Sequence, residues 1–287
     1  MHKFRQNLAH FYMALFLFYL LAPLVVMSGA AFNDSKLPSI VPWTGFTTMW
    51  FGEMIADQRM MWAFVNTLWV AVAVALISVI IGTAAAILIN SVSGRVRTVL
   101  YGMMISTILI PGVVIGISTM ILWTKMGNAL DTEFFLFNPG LHLSVLGQVS
   151  YIAAMVMLLV LARLQSFDAG LEEAALDLGA SHAQVMRRIL LPHLYPAIGA
   201  GAAVAFFQSI ENFNVTQFTR GGADTLTVYV FSKVRAGITP TINALAFLLI
   251  LVTLVLAVMY EINRRRRARI EAAREAEARR AEEAMLI

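Results

Sequence analysis

Long apolar stretches alternate with short polar connectors along this chain. Six of them, residues 10–32, 62–89, 99–123, 141–164, 197–218 and 241–260, are long enough to cross the hydrocarbon core of a bilayer as helices, which takes about 20 residues. The pattern predicts an all-α membrane protein with six transmembrane helices, a membrane domain over 1–262 and a charged tail over 263–287. The first stretch has a basic lead and ends in small residues, as a cleaved signal sequence does, but its apolar part exceeds the usual core of about 7–15 residues and reads as a retained helix. The longest early connector, 33–61, reads as a segment lying along the interface. Pro111 and Gly112 predict a kink in the third span, and Asn66 with Thr67 read as a cap on the second.

Composition narrows the class. The chain is 59% hydrophobic and 13% charged, with mean hydropathy +0.76, which excludes an ordinary soluble domain. It holds no cysteine, which excludes disulfides, thiolate metal sites and cysteine nucleophiles. Its basic residues crowd into the tail beside Glu271, Glu275, Glu277, Glu282 and Glu283, so the tail reads as a solvated helix at a membrane surface and not as a nucleic-acid site. Lys3 and Arg5, Arg95 and Arg97, Arg163, Arg187 and Arg188, and the tail fall on one side of successive spans, predicting cytoplasmic termini. Arg220, Lys233 and Arg235 are the exception, on the opposite side beside a lone Asp224.

One polar stretch, LEEAALDLGASHAQVMRRILLP at 171–192, lies between spans four and five, on the cytoplasmic side by this rule. Leu171, Ala174, Ala175 and Leu178 recur at i, i+3, i+4 and i+7 and make one apolar stripe, with Glu172, Glu173 and Asp177 around it. Gly179 stops that helix; Ser181 and Gln184 stand in capping-box spacing and start a second, with Pro192 marking its end. The result is a helix, an elbow and a helix. Spacing leaves two readings open, a handle for another protein or a capped loop shielding the bundle base; a DNA-reading helix-turn-helix is too tightly tethered to dock in a groove.

Glu173, Ala174, Ala175, Gly179, Ile189, Leu191 and Pro192 fill every place of the EAA-loop pattern, which this stretch resembles, of ABC-importer permeases. The segments WTGFTTMWF, ILIPGVVIGIS, RLQSFDAGLEEAALDLGAS and VFSKVRAGITPTINALA are similar to PotC-like permeases of spermidine/putrescine importers. The resemblance implies a type I ABC-importer permease fold with a cytosolic coupling helix in the loop at 166–195, in a bacterial inner membrane. It further implies a cytosolic ABC ATPase dimer as partner, docking on Glu172, Glu173, Ala174, Ala175, Asp177, Gly179, Ala180, Ile189, Leu191 and Pro192. The other implied partners are a second permease, a paralogue in a heterodimer, and an extracytoplasmic substrate-binding protein.

The residues agree with a chain that performs no chemistry itself. None of Lys3, Lys36, Lys125 and Lys233 follows a glycine, so no Walker A loop is present; ATP and Mg belong on the partner, and the chain is expected to bind no cofactor. The five histidines show no metal-ligand spacing. Within spans, Gln208, Glu211 and Asn212 share a helical face in span five, with Asn214 nearby and Gln148 and Tyr151 in span four. Polar side chains at such depth often mark a pathway. Glu211 suits an organic cation, a polyamine by the resemblance, or equally an acid reaching water or a partner helix. Polyamine permeases commonly carry two adjacent acids where this chain has Glu211 and Asn212, which leaves a monovalent cation or zwitterion open. A secondary transporter would show duplicated halves and buried ion ligands, and neither is evident. A membrane scaffold with no pathway is opposed only by the Glu211 cluster and the loop.

Overall fold

Proline, glycine and asparagine decide where the apolar runs of this chain hold as helices and where they break. The computed structural model describes residues 2–237 and 239–285, with side chains described among 5–266 and 268–270. Its helices are α1 (His2–Ala30), α2 (Met49–Ala56), α3 (Gln58–Ser91), α4 (Gly94–Leu109), α5 (Gly112–Ala129), α6 (Leu141–Leu164), α7 (Ala169–Asp177), α8 (His182–Val185), α9 (Leu191–Ile210), α10 (Thr216–Thr219), α11 (Leu226–Ala236) and α12 (Pro240–Met285). The protein is all-α, as the pattern predicts, and five helices among the described residues are each long and apolar enough to cross a membrane. Counted together as one span, the pair α4 and α5 makes a sixth.

That pair corrects the expected kink in size. The two helices meet at 104°, a broken or re-entrant span. Pro111 has no N–H to continue the ladder, and its ring pushes the preceding Ile110 into an extended conformation, φ −77° and ψ 130°. Span five is also broken. The expected run to 218 ends at Ile210, and a non-helical turn follows before α10. Asn212 causes it: its Oδ1 accepts from the backbone N–H of Val215 at 3.2 Å and of Thr216 at 3.4 Å, so a side chain supplies acceptors that a helix would take from carbonyls.

The chain divides into two compact units. Residues 58–232 form one, with its core where α3, α6 and α9 pack: Val70, Val74, Ile152, Val156, Met157, Val160 and Leu194 are buried together. Gly82 sets the approach of α3 to α6, since a Cβ there would lie 2.6 Å from the Ala153 carbonyl oxygen. Small residues at helix crossings let backbones approach in this way within membranes.

Residues 1–57 and 233–287 form the other unit, in which α1 and α2 pack on α12. Phe32 stacks on Phe46 at 5.5 Å and meets Phe247 edge-on at 5.0 Å. Asn33, fully buried, donates to the carbonyls of Ser39 and Pro42 at 2.9 Å each and accepts from the Thr44 amide, gathering the 33–47 connector around one side chain. The following segment forms a helix, α2, on the stretch expected along the interface. Helix α12 runs on into the tail, where Arg264 and Arg265 pair with Glu261 at 3.2 and 2.6 Å. The expected mixing of charges over 271–287 lies outside the residues whose side chains are described.

Candidate functional site

Two places in the 58–232 unit bring the candidate residues together, and one helix joins them. The first is the polar loop. Asp168 caps α7, accepting from the Gly170 amide at 2.9 Å. At the other end Gly179 takes φ +84°, its N–H reaching the Leu176 carbonyl at 2.9 Å and the Ala180 N–H reaching that of Ala175 at 3.0 Å. These two bonds are a Schellman stop, which needs a residue at ease in the left-handed region. The capping box then forms as spaced: Ser181 Oγ accepts from the Gln184 amide at 3.3 Å, and Gln184 Oε1 from the Ser181 amide at 2.8 Å.

The apolar stripe of α7 has no cover within the described residues. Leu171 is 54% exposed and Leu178 89%, Ala174 is exposed, and no residue of α7 is buried. Glu173, Asp177, Gly179 and Pro192 are exposed beside it; Glu172, Ala175, Ala180, Ile189 and Leu191 are half-buried. Burying a leucine side chain releases about 1.5–3 kcal/mol, so this stripe leaves a substantial apolar contribution unused within the described residues.

The second helix of the elbow does not end at Pro192, as the sequence suggested. Residues 186–190 form a π-turn, and α8, that turn and α9 make one helix of 29 residues, His182–Ile210. The wider turn lies where the Pro192 ring would crowd the carbonyl four residues back, that of Arg188. The helix is anchored part-way along: Arg163 Nε donates to the His193 carbonyl at 3.2 Å, and Phe167 meets the His193 ring at 5.3 Å. At 1.5 Å per residue it is a rod of about 44 Å from the elbow to the break in span five.

The second place is that break. Glu211 ends α9 and is exposed, as is Asn214; Gln208 is half-buried. Since the helix stops at Ile210, the shared helical face expected of Gln208, Glu211 and Asn212 does not continue past it. Asn212 turns inward, 8% exposed, and donates from Nδ2 to the Tyr151 hydroxyl at 2.6 Å. Gln148, fully buried on α6, accepts from Ser209 Oγ at 2.6 Å and donates to Thr216 Oγ1 at 2.9 Å. Gln148 and Asn212 therefore tie both sides of the turn to α6. The turn also meets the other broken span: a Cβ at Gly112 would lie 3.0 Å from Asn214 Cβ, and one at Gly116 2.8 Å from the Val215 carbonyl. Glu211 is the carboxylate that this cluster leaves facing outward, at the C-terminal end of a long helix, where the macrodipole is negative and cations are favoured.

Sequence reasoning missed a third group. Arg59 and Arg220 both pair with Asp224, each at 2.6 Å, and Lys233 pairs with Asp57 at 3.6 Å, which accounts for two of the three charges in the apparent exception. Asn66 and Thr67 lie two turns inside α3 and are not caps: Asn66 Nδ2 donates to the Asp224 carbonyl at 2.9 Å, and Thr67 Oγ1 accepts from the Leu226 amide at 2.7 Å. A signal was available, since Arg59, Asn66 and Thr67 fall at i, i+7 and i+8 on one helical face. Ser106 and Thr107 bond back to the carbonyls of Met103 and Met104. Among the described residues no cluster of histidine and carboxylates is placed to hold a metal.

Residues 78–269 match the family described as binding-protein-dependent transport system inner membrane component. The putrescine transport system permease protein PotI of Escherichia coli K12 is 35% identical over 235 residues, 81% of this chain and 82% of that protein. The spermidine/putrescine transport system permease protein PotC of the same organism is 29% identical over 245 residues, 85% and 89% of the two chains. Among solved structures, a chain of a bacterial alginate ABC transporter in complex with a periplasmic protein bound to an alginate pentasaccharide superposes with TM-score 0.70. It is 18% identical, covering 90% of this chain and 94% of that one.

Proposed function

Because this chain belongs to the family of binding-protein-dependent transport system inner membrane components, and is thus a multi-pass transport permease and not an enzyme, we propose that it serves an ATP-driven importer of polyamines. The observation that carries the substrate class is its kinship with a putrescine permease over most of both chains. Glu211 supports it, an outward-facing carboxylate at the negative end of a 29-residue helix, suited to an ammonium group. Its neighbour Asn212 is engaged internally with Tyr151, so Glu211 is the residue of the two that is exposed.

In this reading both termini lie in the cytoplasm of a bacterial inner membrane, and a separate ABC ATPase dimer holds ATP and Mg. The ATPase covers the stripe of Leu171, Ala174, Ala175 and Leu178. Its closure displaces α7, and the continuous helix from His182 carries the displacement to the turn after Ile210, where Glu211 faces the pathway. Packed helices move as units because cores resist continuous deformation. A second, paralogous permease completes the pathway and an extracytoplasmic binding protein delivers substrate. Proteoliposomes holding the full complex test this directly: ATP-dependent uptake of putrescine or spermidine is expected, and uptake of a neutral or anionic solute instead would contradict the substrate class.

A further inference from the structure

We propose that Asp224 is a positioning residue for the transported cation: it clamps the segment after span five onto α3 and thereby holds the turn that presents Glu211. The proposal rests on the reading of Glu211 given above.

The clamp is built from groups far apart in sequence. The Asp224 side chain is 7% exposed; Oδ2 receives both Nε and Nη2 of Arg59 at 2.6 Å, and Oδ1 receives Nη1 of Arg220 at 2.6 Å. Its backbone carbonyl accepts from Asn66, and two residues on the Leu226 amide is held by Thr67. The Arg59 guanidinium also lies 6.0 Å from the centre of the Tyr229 ring. A buried carboxylate persists only where its charge is met, and here two guanidinium groups meet it.

The clamp reaches the turn by two short routes. Thr227, three residues after Asp224, donates from Oγ1 to the Asn212 carbonyl at 3.1 Å. Arg220 directly follows α10, whose Thr216 is held by Asn212 Oδ1 and by Gln148. Asn212 in turn fixes the Tyr151 hydroxyl. The link runs from Asp224 three residues along the chain to Thr227, then by hydrogen bonds to Asn212 and Tyr151, and Glu211 precedes Asn212 in the chain. Nothing in the clamp touches the cation; its part is to keep a non-helical turn at membrane depth in one conformation.

Hydrogen exchange on the purified permease complex separates the clamp from the substrate reading. In Asp224→Asn, exchange at Val215, Thr216 and Leu226 is expected to speed up by about tenfold or more while residues 150–160 stay protected, and Asp224→Glu should recover most of the protection. In proteoliposomes the same Asn variant is expected to raise KM for putrescine by about five- to tenfold with the maximal rate within about twofold. The rise should persist at high salt, where a mere added charge is screened. Glu133→Gln, the same change of charge at an exposed residue outside the clamp, should change neither. Unchanged protection at Val215 and Thr216 overturns the clamp; loosened protection with an unmoved KM overturns the cation-facing role of Glu211 on which it rests.

Discussion

Gln148 on α6 donates to Thr216 on α10 at 2.9 Å across the interruption in span five, while Ser209 on the near side of that interruption donates back to Gln148 at 2.6 Å. One fully buried amide thus spans a break in a membrane helix, linking the residues on its two sides to α6. Gln148→Leu keeps the volume but strands the Ser209 hydroxyl and removes the donor to Thr216, whose own hydroxyl still reaches Asn212 Oδ1 at 3.3 Å, at about 1–3 kcal/mol for the group left unpaired. The purified complex should melt several degrees lower and transport more slowly; an unchanged melting temperature would deny the amide its bridging role.

Glu211 is the side chain of the candidate pathway for which charge is predicted to matter. Glu211→Gln keeps shape and removes the carboxylate. KM for a polyamine should rise about tenfold or more, the equivalent of about 1.4 kcal/mol, with assembly of the complex unchanged. Transport kinetics identical to the parent would assign Glu211 to the surface.

Gly179 and Gly94 form a matched pair for testing the elbow. Both have positive φ, +84° and +64°, and a Cβ at either would meet nothing within 4 Å of this chain. An aspartate at either position carries a similar backbone penalty, of about 1 kcal/mol. Gly179→Asp is expected to insert in the membrane but to release the ATPase and stop uptake, whereas Gly94→Asp keeps both. Equal losses in the two variants would mean that strain, and not a contact at the elbow, is responsible.

What was legible in the sequence was local. The capping box of Ser181 and Gln184, the Gly179 stop and the position of the break at Pro111 each depend on a few adjacent residues, and each formed where expected. The size of the bend, 104°, was not legible, because proline sets only where a helix fails and the packing of α5 on α6 and α10 sets its new direction. Hydropathy carried span five through Asn212, whose effect comes from a side chain capping the residues after it. The Asp224 clamp joins Arg59 to a residue 165 positions away, a pairing that charge counts along a chain do not reveal. Pro192 misled for the opposite reason: a proline in the first turn of α9 is absorbed by the wider turn ahead of it.

Leu178 gives the most direct test of the coupling role. It is 89% exposed on the stripe of α7, and the chain has no cysteine, so Leu178→Cys introduces its sole thiol. In membranes holding the assembled complex, a short bifunctional thiol reagent should join this position to a cysteine-bearing ATPase subunit, with a yield that changes when ATP binds, and the joined complex should cease uptake. Absence of any product with the ATPase, while uptake driven by ATP continues, would contradict the claim that this elbow receives the motor.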